Sequence, residues 1–436
     1  MSFEALKRDS DKRWLDLTTG TKPWIRVSSV MCFGTSLESE EIVSVITNYI
    51  EKNKMLINID TVGCHGICYA GPIIDILYKG QPRIFWGNVT KDNVVKILDS
   101  YIKKGEVLTD NLLGSLGERS IDGIKKIDDL PGINLQNRIA LRNSGNIAFN
   151  DIFQYIANGG FEGLHKAVTK MSSDEVISEV KNSGLRGRGG AAFPTGLKWS
   201  FMSNSKGVKY ILCNCEEGDP GAYNDKGILE SDPYTLIEGM AIAGYATKST
   251  NGYVFIRHGH DGPIDRTKEA INQAYENGLL GKNIFGSDFS FDIEVSLTGD
   301  SYVAGEETAL MESIEGKSAR PRSRPPFPAA YGVWGKPSTI NNVKSLAYVS
   351  EIIRNGSEWF KSIGTESSSG TAIVCLSGDI LNPGMYEVEM GISIKDVVEK
   401  IGGGIPDGRK LKMLQTGGPL GGVLGPDSLK VKIDFD

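Results

Sequence analysis

Four short segments of this 436-residue chain gather side chains suited to holding a ligand. The first is SGLRGRGGAAFPTGLKW, residues 183–199. Gly187, Gly189 and Gly190 let backbone N–H groups lie against a flat or anionic ligand, since successive N–H groups in such a turn form an anion nest. Lys198 adds a point charge for a phosphate, and Phe193 and Phe201 offer ring faces for stacking. A lone glycine cluster is more often a flexible surface loop; the Ala-Phe-Pro-Thr-Gly-Leu-Lys-Trp run that follows argues against that here. The second segment is CNCEEGDPGAYND, 213–225, directly after an apolar strand-like run. Asn214 can bond a ring edge through both donor and acceptor. Glu216, Glu217 and Asp219 would repel one another and titrate high if buried, and ribose hydroxyls are natural partners for them. A solvated acidic turn is the plainer alternative, and the position at a strand end weighs against it. In the third, GDSYVAGEETALMESIEG (299–316), Gly305 precedes a helix opening with Glu306 and Glu307. Acids there often only complement the macrodipole, the plain reading for Glu306; a helix start aimed at a dinucleotide is the functional one. The fourth, TINNVKSL (339–346), supplies Asn341, Asn342 and Ser345 as neutral hydrogen-bonding groups of phosphate-binding type, though alone it would be a turn.

The six cysteines, Cys32, Cys64, Cys68, Cys213, Cys215 and Cys375, are too few for a disulfide scaffold of this length. The close pair Cys64/Cys68 is a better candidate for metal binding than for a disulfide in a reducing compartment.

The elements that must position these groups fall into separate regions. Residues 1–20 read as a polar arm. A strand at KPWIRVSSV, a helix over 39–53, a strand at MLINIDTV, a hairpin turning at Gly80 and a helix over 90–104 give the order β-α-β-β-β-α, which fits a small thioredoxin-like domain over 21–105. Residues 106–137 carry few periodic signals and read as a linker. From 138 to 365 a larger α/β domain is expected. Ser172 and Glu175 form a capping box. Strands at 209–213, 252–257 and 291–297 alternate with helices at 233–247, 263–277 and 305–314. Such alternation predicts a mostly parallel, Rossmann-like sheet whose ligands sit beyond the carboxyl ends of its strands. The Pro-rich stretch 320–328 must be an extended loop. Short strands and turns around one helix at 393–401 suggest a small β-grasp-like domain over 366–436.

Charge and hydropathy exclude other classes. With 48 Lys plus Arg against 54 Asp plus Glu, the net charge of −6 argues against a general nucleic-acid binder. No apolar run reaches the roughly 18–20 residues of a membrane span. The charged start MSFEALKRDSDKRW lacks the apolar core of a signal peptide, so a cytoplasmic chain is expected.

Taken together, GLRGRGGAAFPTGLKW, NCEEGDPG, YVAGEETAL, PPFPAAYGVWGKP and INNV resemble the NADH-binding flavoprotein subunit of respiratory complex I and its soluble relatives in NAD-linked hydrogenases and formate dehydrogenases. The resemblance spans about 138–436, and the tail SGDILNPGMYEV resembles the ubiquitin-like, ligand-binding SLBB domain of that family. It implies that Gly187 to Gly190 (with Arg188), Lys198, Asn214, Glu216, Asn341, Asn342 and Ser345 hold FMN. Phe193, Phe201 and Phe327 would flank adenine or nicotinamide, and Asp219, Glu307 and Arg324 would contact NAD(H) or NADP(H), with Asp219 and Glu307 the catalytic positions. Glu217, Tyr302, Gly305 and Glu306 complete the implied cofactor-binding set. The implied function is hydride transfer between nicotinamide and FMN, then one-electron transfer to iron–sulfur partner subunits, with electron bifurcation a variant of it. The alternative is a scaffold subunit that keeps the fold without turnover.

The sequence departs from the family at several points. The family usually has Lys at Arg324, Thr at Ser345, Glu at Lys344, and a glycine-rich stretch where Asp300 stands. It also continues into a helical bundle with a Cys-x-x-Cys-x-x-Cys set for a [4Fe–4S] cluster, and no such run occurs in this sequence. Cys32-Phe-Gly-Thr-Ser-Leu37 and Cys64-His-Gly-Ile-Cys68 resemble thioredoxin-like [2Fe–2S] ferredoxins, which use four thiolates. Leu37 stands at the second position and cannot ligate, so Cys32, Cys64 and Cys68 form an incomplete metal set. A cluster with a non-Cys ligand, as in Rieske centres, and a domain kept only for docking are both open.

Overall fold

The computed structural model describes residues 2–29, 36–78, 80–119, 121–299, 301–419 and 421–435. The N-terminal sheet is built from β1 (Trp24–Ser28), β2 (Asn58–Val62), β3 (Ile74–Leu77), β4 (Arg83–Trp86) and β5 (Leu112–Leu116), in the order β2-β1-β3-β4-β5. β1 runs parallel to β2, joined by the helix Ser36–Asn53, and the other pairings are antiparallel. Ile42, Ile46 and Tyr49 carry the apolar face of that helix onto Ile25, Val27 and Ile76. The final helix begins at Val94 and continues through Lys104. Beneath this sheet Asp75 is fully buried. It accepts from Arg26 Nε at 2.9 Å and Arg83 Nε at 2.6 Å, with His65 Nε2 3.3 Å from its other oxygen.

Two regions differ from the sequence reading. The polar arm expected at 1–20 is a packed helix: Phe3–Thr19 is capped by Ser2 and lies on the helix Ile152–Ala157 of the next domain. Phe3, Leu6 and Ser10 form its narrow buried face, too sparse a stripe to stand out among its polar and charged neighbours. The stretch 106–137 is not a plain linker either, because β5 within it closes the sheet against β4. Gly114 interrupts the strand's apolar pattern.

The second sheet holds β6 (Tyr210–Cys215), β7 (Asn251–Arg257), β8 (Asp292–Thr298) and β9 (Ser338–Asn342), all parallel, in the order β8-β7-β6-β9. The helix Pro233–Thr247 follows β6 with Asp232 as its cap and Pro233 at its first turn, and nearly every side chain on it is buried. The capping box of Ser172 and Glu175 opens the helix Ser173–Asn182. Residues 320–328 are free of helix and strand. Chain order runs from β6 outward through β7 to β8, then returns to the other side of β6 with β9. That reversal leaves a crevice at the carboxyl ends of β6 and β9. TINN alone reads as a turn, but its pairing along β6 makes it part of strand β9.

The last region pairs β10 (Thr371–Leu376) with β11 (Gly384–Glu389), places a helix over Ile394–Ile401, and ends in the short pair β12 (Leu414–Gln415) and β13 (Val423–Leu424). It is bolted to the larger α/β domain by one buried carboxylate. Glu387 accepts the N–H groups of Ile139 (2.9 Å), Ala140 (3.1 Å) and Leu141 (2.9 Å), and the hydroxyl of Thr371. Among the described residues no helix is long and apolar enough to cross a membrane.

Candidate cofactor cleft

A cleft of about 1890 Å³ opens at the carboxyl ends of β6 and β9, floored by the 187–190 loop and roofed by residues of the C-terminal region. It exceeds the roughly 300–1,000 Å³ of a pocket for one small molecule, so it has room for two ligands together. Of the positions expected at the site, only Phe201 and Phe327 lie off its wall. The Phe201 ring sits 6.2 Å from that of Phe193, on the outer face of the helix Thr195–Ser203. Phe327 is 61% exposed. Ring type is visible in the sequence, but the side on which each ring falls is not. Asp300, which stands where the family is glycine-rich, lies outside the described residues.

The glycine loop is held in place by its neighbours. Gly187 N–H donates to the Phe193 carbonyl at 2.9 Å, and Arg188 N–H donates to Ser345 Oγ at 2.8 Å. A Cβ at Gly189 would stand 3.0 Å from Asn342 Cβ. Gly190 has φ +115, and nothing lies within 4 Å of where its Cβ would be. Bare backbone therefore faces the cleft, a surface onto which a flat ring system can settle. The Arg188 side chain turns away from this role. Its guanidinium donates to the carbonyls of Arg186 (2.8 Å), Ser369 (2.7 Å) and Thr371 (3.1 Å), so it braces the C-terminal region.

The other groups carry partners that define their availability. Lys198 Nζ donates to the Ile340 carbonyl at 2.8 Å and lies 3.6 Å from Glu307, whose carboxylate also pairs with Arg324. Burial lowers the Lys198 ammonium below the ordinary lysine range, and Glu307 opposes that shift. Asn214 donates through Nδ2 to the Gly305 carbonyl (2.8 Å), and its Oδ1 accepts from Glu216 N–H (3.1 Å). Glu216 is raised by burial against its 2.6 Å pair with Arg257. Tyr302 donates its hydroxyl to Asp219 Oδ1 at 2.8 Å. Asn341 Oδ1 accepts from Trp199 Nε1 at 3.1 Å.

Two of the acids serve the backbone. Glu306 caps the helix Glu307–Ile314, accepting Thr308 N–H at 2.9 Å and Ala309 N–H at 3.0 Å, the plain reading of its position. Glu217 accepts Asp225 N–H (2.9 Å) and Lys226 N–H (3.0 Å) at the start of the helix Asn224–Ser231. Burial, then Asp225, pushes its carboxyl up to about 7.

Three wall residues are not singled out as ligand-binding groups by the sequence. Lys344 Nζ sits 2.8 Å from Asp225 Oδ1 and 2.9 Å from Asn224 Oδ1, and Asn342 donates to Asp225 as well. Burial works to lower the Lys344 ammonium, but Asp225 and Glu217 more than offset this and hold it above its usual value. Asn224 and Asp225 belong to the quoted acidic segment and Lys344 to TINNVKSL, so spacing relative to strand ends is the available signal. The roof residues Arg409 to Lys412 and Gly417 to Gly418 have no such signal except a local basic run beside glycines.

At the N-terminal domain the thiols of Cys64 and Cys68 are buried with 3.1 Å between their sulfurs. Cys32 lies outside the described residues. Among the described residues no group of three or more His, Cys, Asp or Glu side chains is arranged as a metal site. Two close thiols, with Leu37 in the sequence where such ferredoxins place a thiolate, do not fit a four-thiolate cluster.

A parallel α/β sheet with a glycine-floored cleft at its switch point is the arrangement of a nucleotide-cofactor protein. The Nuo51 FMN-binding domain family matches residues 180–351, and the SLBB domain family matches 373–424. The chain is 51% identical over 302 residues to HndC, a subunit of the NADP-reducing hydrogenase of Solidesulfovibrio fructosivorans, covering 69% of this chain and 61% of that protein. It is 47% identical over 283 residues to the F 2 subunit of NADH-quinone oxidoreductase in Rhizobium meliloti (strain 1021), covering 65% of this chain and 67% of the relative. With the F subunit of the same enzyme in Escherichia coli (strain K12) it shares 43% over 285 residues, covering 65% of this chain and 64% of the relative. The fold resembles a chain of an NAD+-reducing [NiFe]-hydrogenase in the H2-reduced state, with a TM-score of 0.61 and 23% identity over 99% of this chain and 69% of that one. The chain belongs to the Nuo51-type FMN-binding family, together with the F subunits of NADH-quinone oxidoreductase. The matches span about two thirds or less of the length of these curated relatives.

Proposed function

We propose that this chain is the NAD(P)H-oxidising, or NAD(P)+-reducing, flavoprotein subunit of a multisubunit redox complex. The observation that carries this reading is the cleft between β6 and β9, where exposed glycine backbone meets a wall of acids and amides and where the volume admits two ligands. When bound, FMN supplies the ability to exchange hydride with nicotinamide and to pass electrons singly to iron–sulfur centres on partner subunits.

The chain's own groups bind and orient. Gly187 to Gly190 present backbone to the ring system, with Ser345 fixing the loop through Arg188 N–H. Lys198, Asn214, Asn341 and Asn342 supply donors around it, and Lys344 places a positive charge beneath the cleft. Glu216, Asp219 and Glu307, with Tyr302 and Arg324, form the dinucleotide side, and Phe193 offers the stacking face. The division that serves this function is an N-terminal helix at Phe3–Thr19, a thioredoxin-like docking domain from 21 whose sheet is completed by β5, a connecting segment from there to 137, the FMN and nucleotide domain at 138–365 and the SLBB-type roof from 366. A cytoplasmic setting suits the buried thiols Cys213 and Cys215.

The test is optical. Purified chain, reconstituted with FMN, should be yellow and should bleach when NADH or NADPH is added without oxygen. Protein that stays colourless after incubation with FMN would overturn the proposal and favour a scaffold role.

A further inference from the structure

We infer that Lys410 and Lys412, carried by the SLBB-type region, form the phosphate-binding wall of the dinucleotide cleft. The inference rests on the function proposed above and adds to it which wall receives the nucleotide's phosphates.

The acids of the cleft gather mostly on its sheet side, where the cations Lys198, Arg324 and Lys344 are each paired with a carboxylate. Of these acids Glu217 and Glu306 serve backbone N–H groups and Glu216 pairs with Arg257, which leaves Asp219 and Glu307 to accept hydroxyl donors from a ligand. On the roof side the segment Arg409-Lys410-Leu411-Lys412 lines the same space. Its cations are not equivalent. Arg409 is engaged by Asp379 at 3.0 Å and Asp407 at 3.8 Å. Lys410 and Lys412 are exposed and make no ion pair with another described residue. They flank Leu411, and all three residues line the cleft. Lys198, the cation expected to meet phosphate, already has the Ile340 carbonyl and Glu307 as partners. The unspent positive charge of the cleft is therefore on its roof.

The roof is also seated against the dinucleotide side. The loop that follows β12 turns at Gly417 and Gly418, and a Cβ at Gly418 would lie 2.8 Å from Asp219 Cγ. Only a glycine lets this loop approach so closely. Asp219 is meanwhile fixed by the Tyr302 hydroxyl at 2.8 Å. A dinucleotide with its riboses toward the acids thus has its phosphates toward Lys410 and Lys412. Both the pyrophosphate, common to NAD and NADP, and the 2′-phosphate of NADP have the required chemistry.

The experiment measures binding of NAD+ and NADP+, which leave oxidised flavin unchanged, to the FMN-loaded full chain by isothermal titration calorimetry. Wild type is compared with the Lys410→Ala/Lys412→Ala and Lys410→Arg/Lys412→Arg double variants, with flavin content confirming that each is folded. We expect the alanine pair to weaken binding by about tenfold or more and the arginine pair to retain it. Weakening of both nucleotides assigns the wall to pyrophosphate. Weakening of NADP+ alone assigns it to the 2′-phosphate. Unchanged affinity of both in the flavin-loaded alanine variant, with wild type binding normally, overturns this inference and leaves the proposed function standing. Wild type that holds FMN yet binds neither nucleotide overturns both.

Discussion

Arg188 N–H donates to Ser345 Oγ across 2.8 Å, tying the glycine loop to the short helix Val343–Ala347 after β9. The two sides of the flavin cradle thus meet through one hydroxyl. Ser345→Ala removes the acceptor and leaves a partly buried N–H unpaired, costing about 1 kcal/mol. FMN affinity should fall about fivefold, and Ser345→Thr should restore it. Flavin fluorescence titration reads both, and an alanine variant that binds FMN as tightly as wild type would sink the cradle assignment.

Gly190 gives a sharper test of the same surface. At φ +115 a side chain is strained by about 1–3 kcal/mol, although space around the Cβ is open. Gly190→Ala should therefore keep the fold by circular dichroism and purify with little or no flavin. Full retention of flavin would show that the loop backbone does not face the cofactor.

Glu387 predicts a stability effect remote from chemistry. Its carboxylate takes the N–H groups of three consecutive residues, Ile139 to Leu141, in a fully buried position. Glu387→Ala leaves all three unpaired and should cost about 3 kcal/mol or more. Denaturant unfolding should show this as a lower midpoint, together with faster proteolysis of the C-terminal region. An unchanged midpoint would contradict the clamp.

The pH dependence follows from Glu217. Burial, then Asp225, holds its carboxyl up at about 7 in the folded chain, whereas an exposed glutamate titrates near ~4.3. Folding thus favours the protonated form. Its stabilising contribution is full below the unfolded value, declines as pH rises toward and through about 7, and is absent above it. Melting temperature of wild type relative to Glu217→Gln should fall between mildly acidic and neutral pH and then level off. A difference flat across that window would show that Glu217 is not held protonated.

How legible all this is in the sequence depends on whether a residue's role is local. The helix Pro233–Thr247 is readable because Asp232 and Pro233 announce its start within two positions. β6, β7 and β8 are readable from alternating strands and helices. The first helix escapes notice because its buried face is only Phe3, Leu6 and Ser10, and its stability comes from packing on a helix about 150 positions later. Within the site, the glycines and amides can be picked out because few structural roles demand them together. Glu217 and Glu306 cannot be sorted from Asp219 and Glu307, since a carboxylate that caps a helix and one that meets a ligand look alike until the backbone is placed. Arg188 sits in the motif and invites a ligand-binding role, but its guanidinium finds carbonyls in a segment about 180 residues away.

That placement of Arg188 joins two events that need not otherwise communicate. The same residue anchors the floor of the cleft through its amide and the roof through its guanidinium. Displacement of the glycine loop and displacement of the C-terminal region are thereby coupled through a single residue.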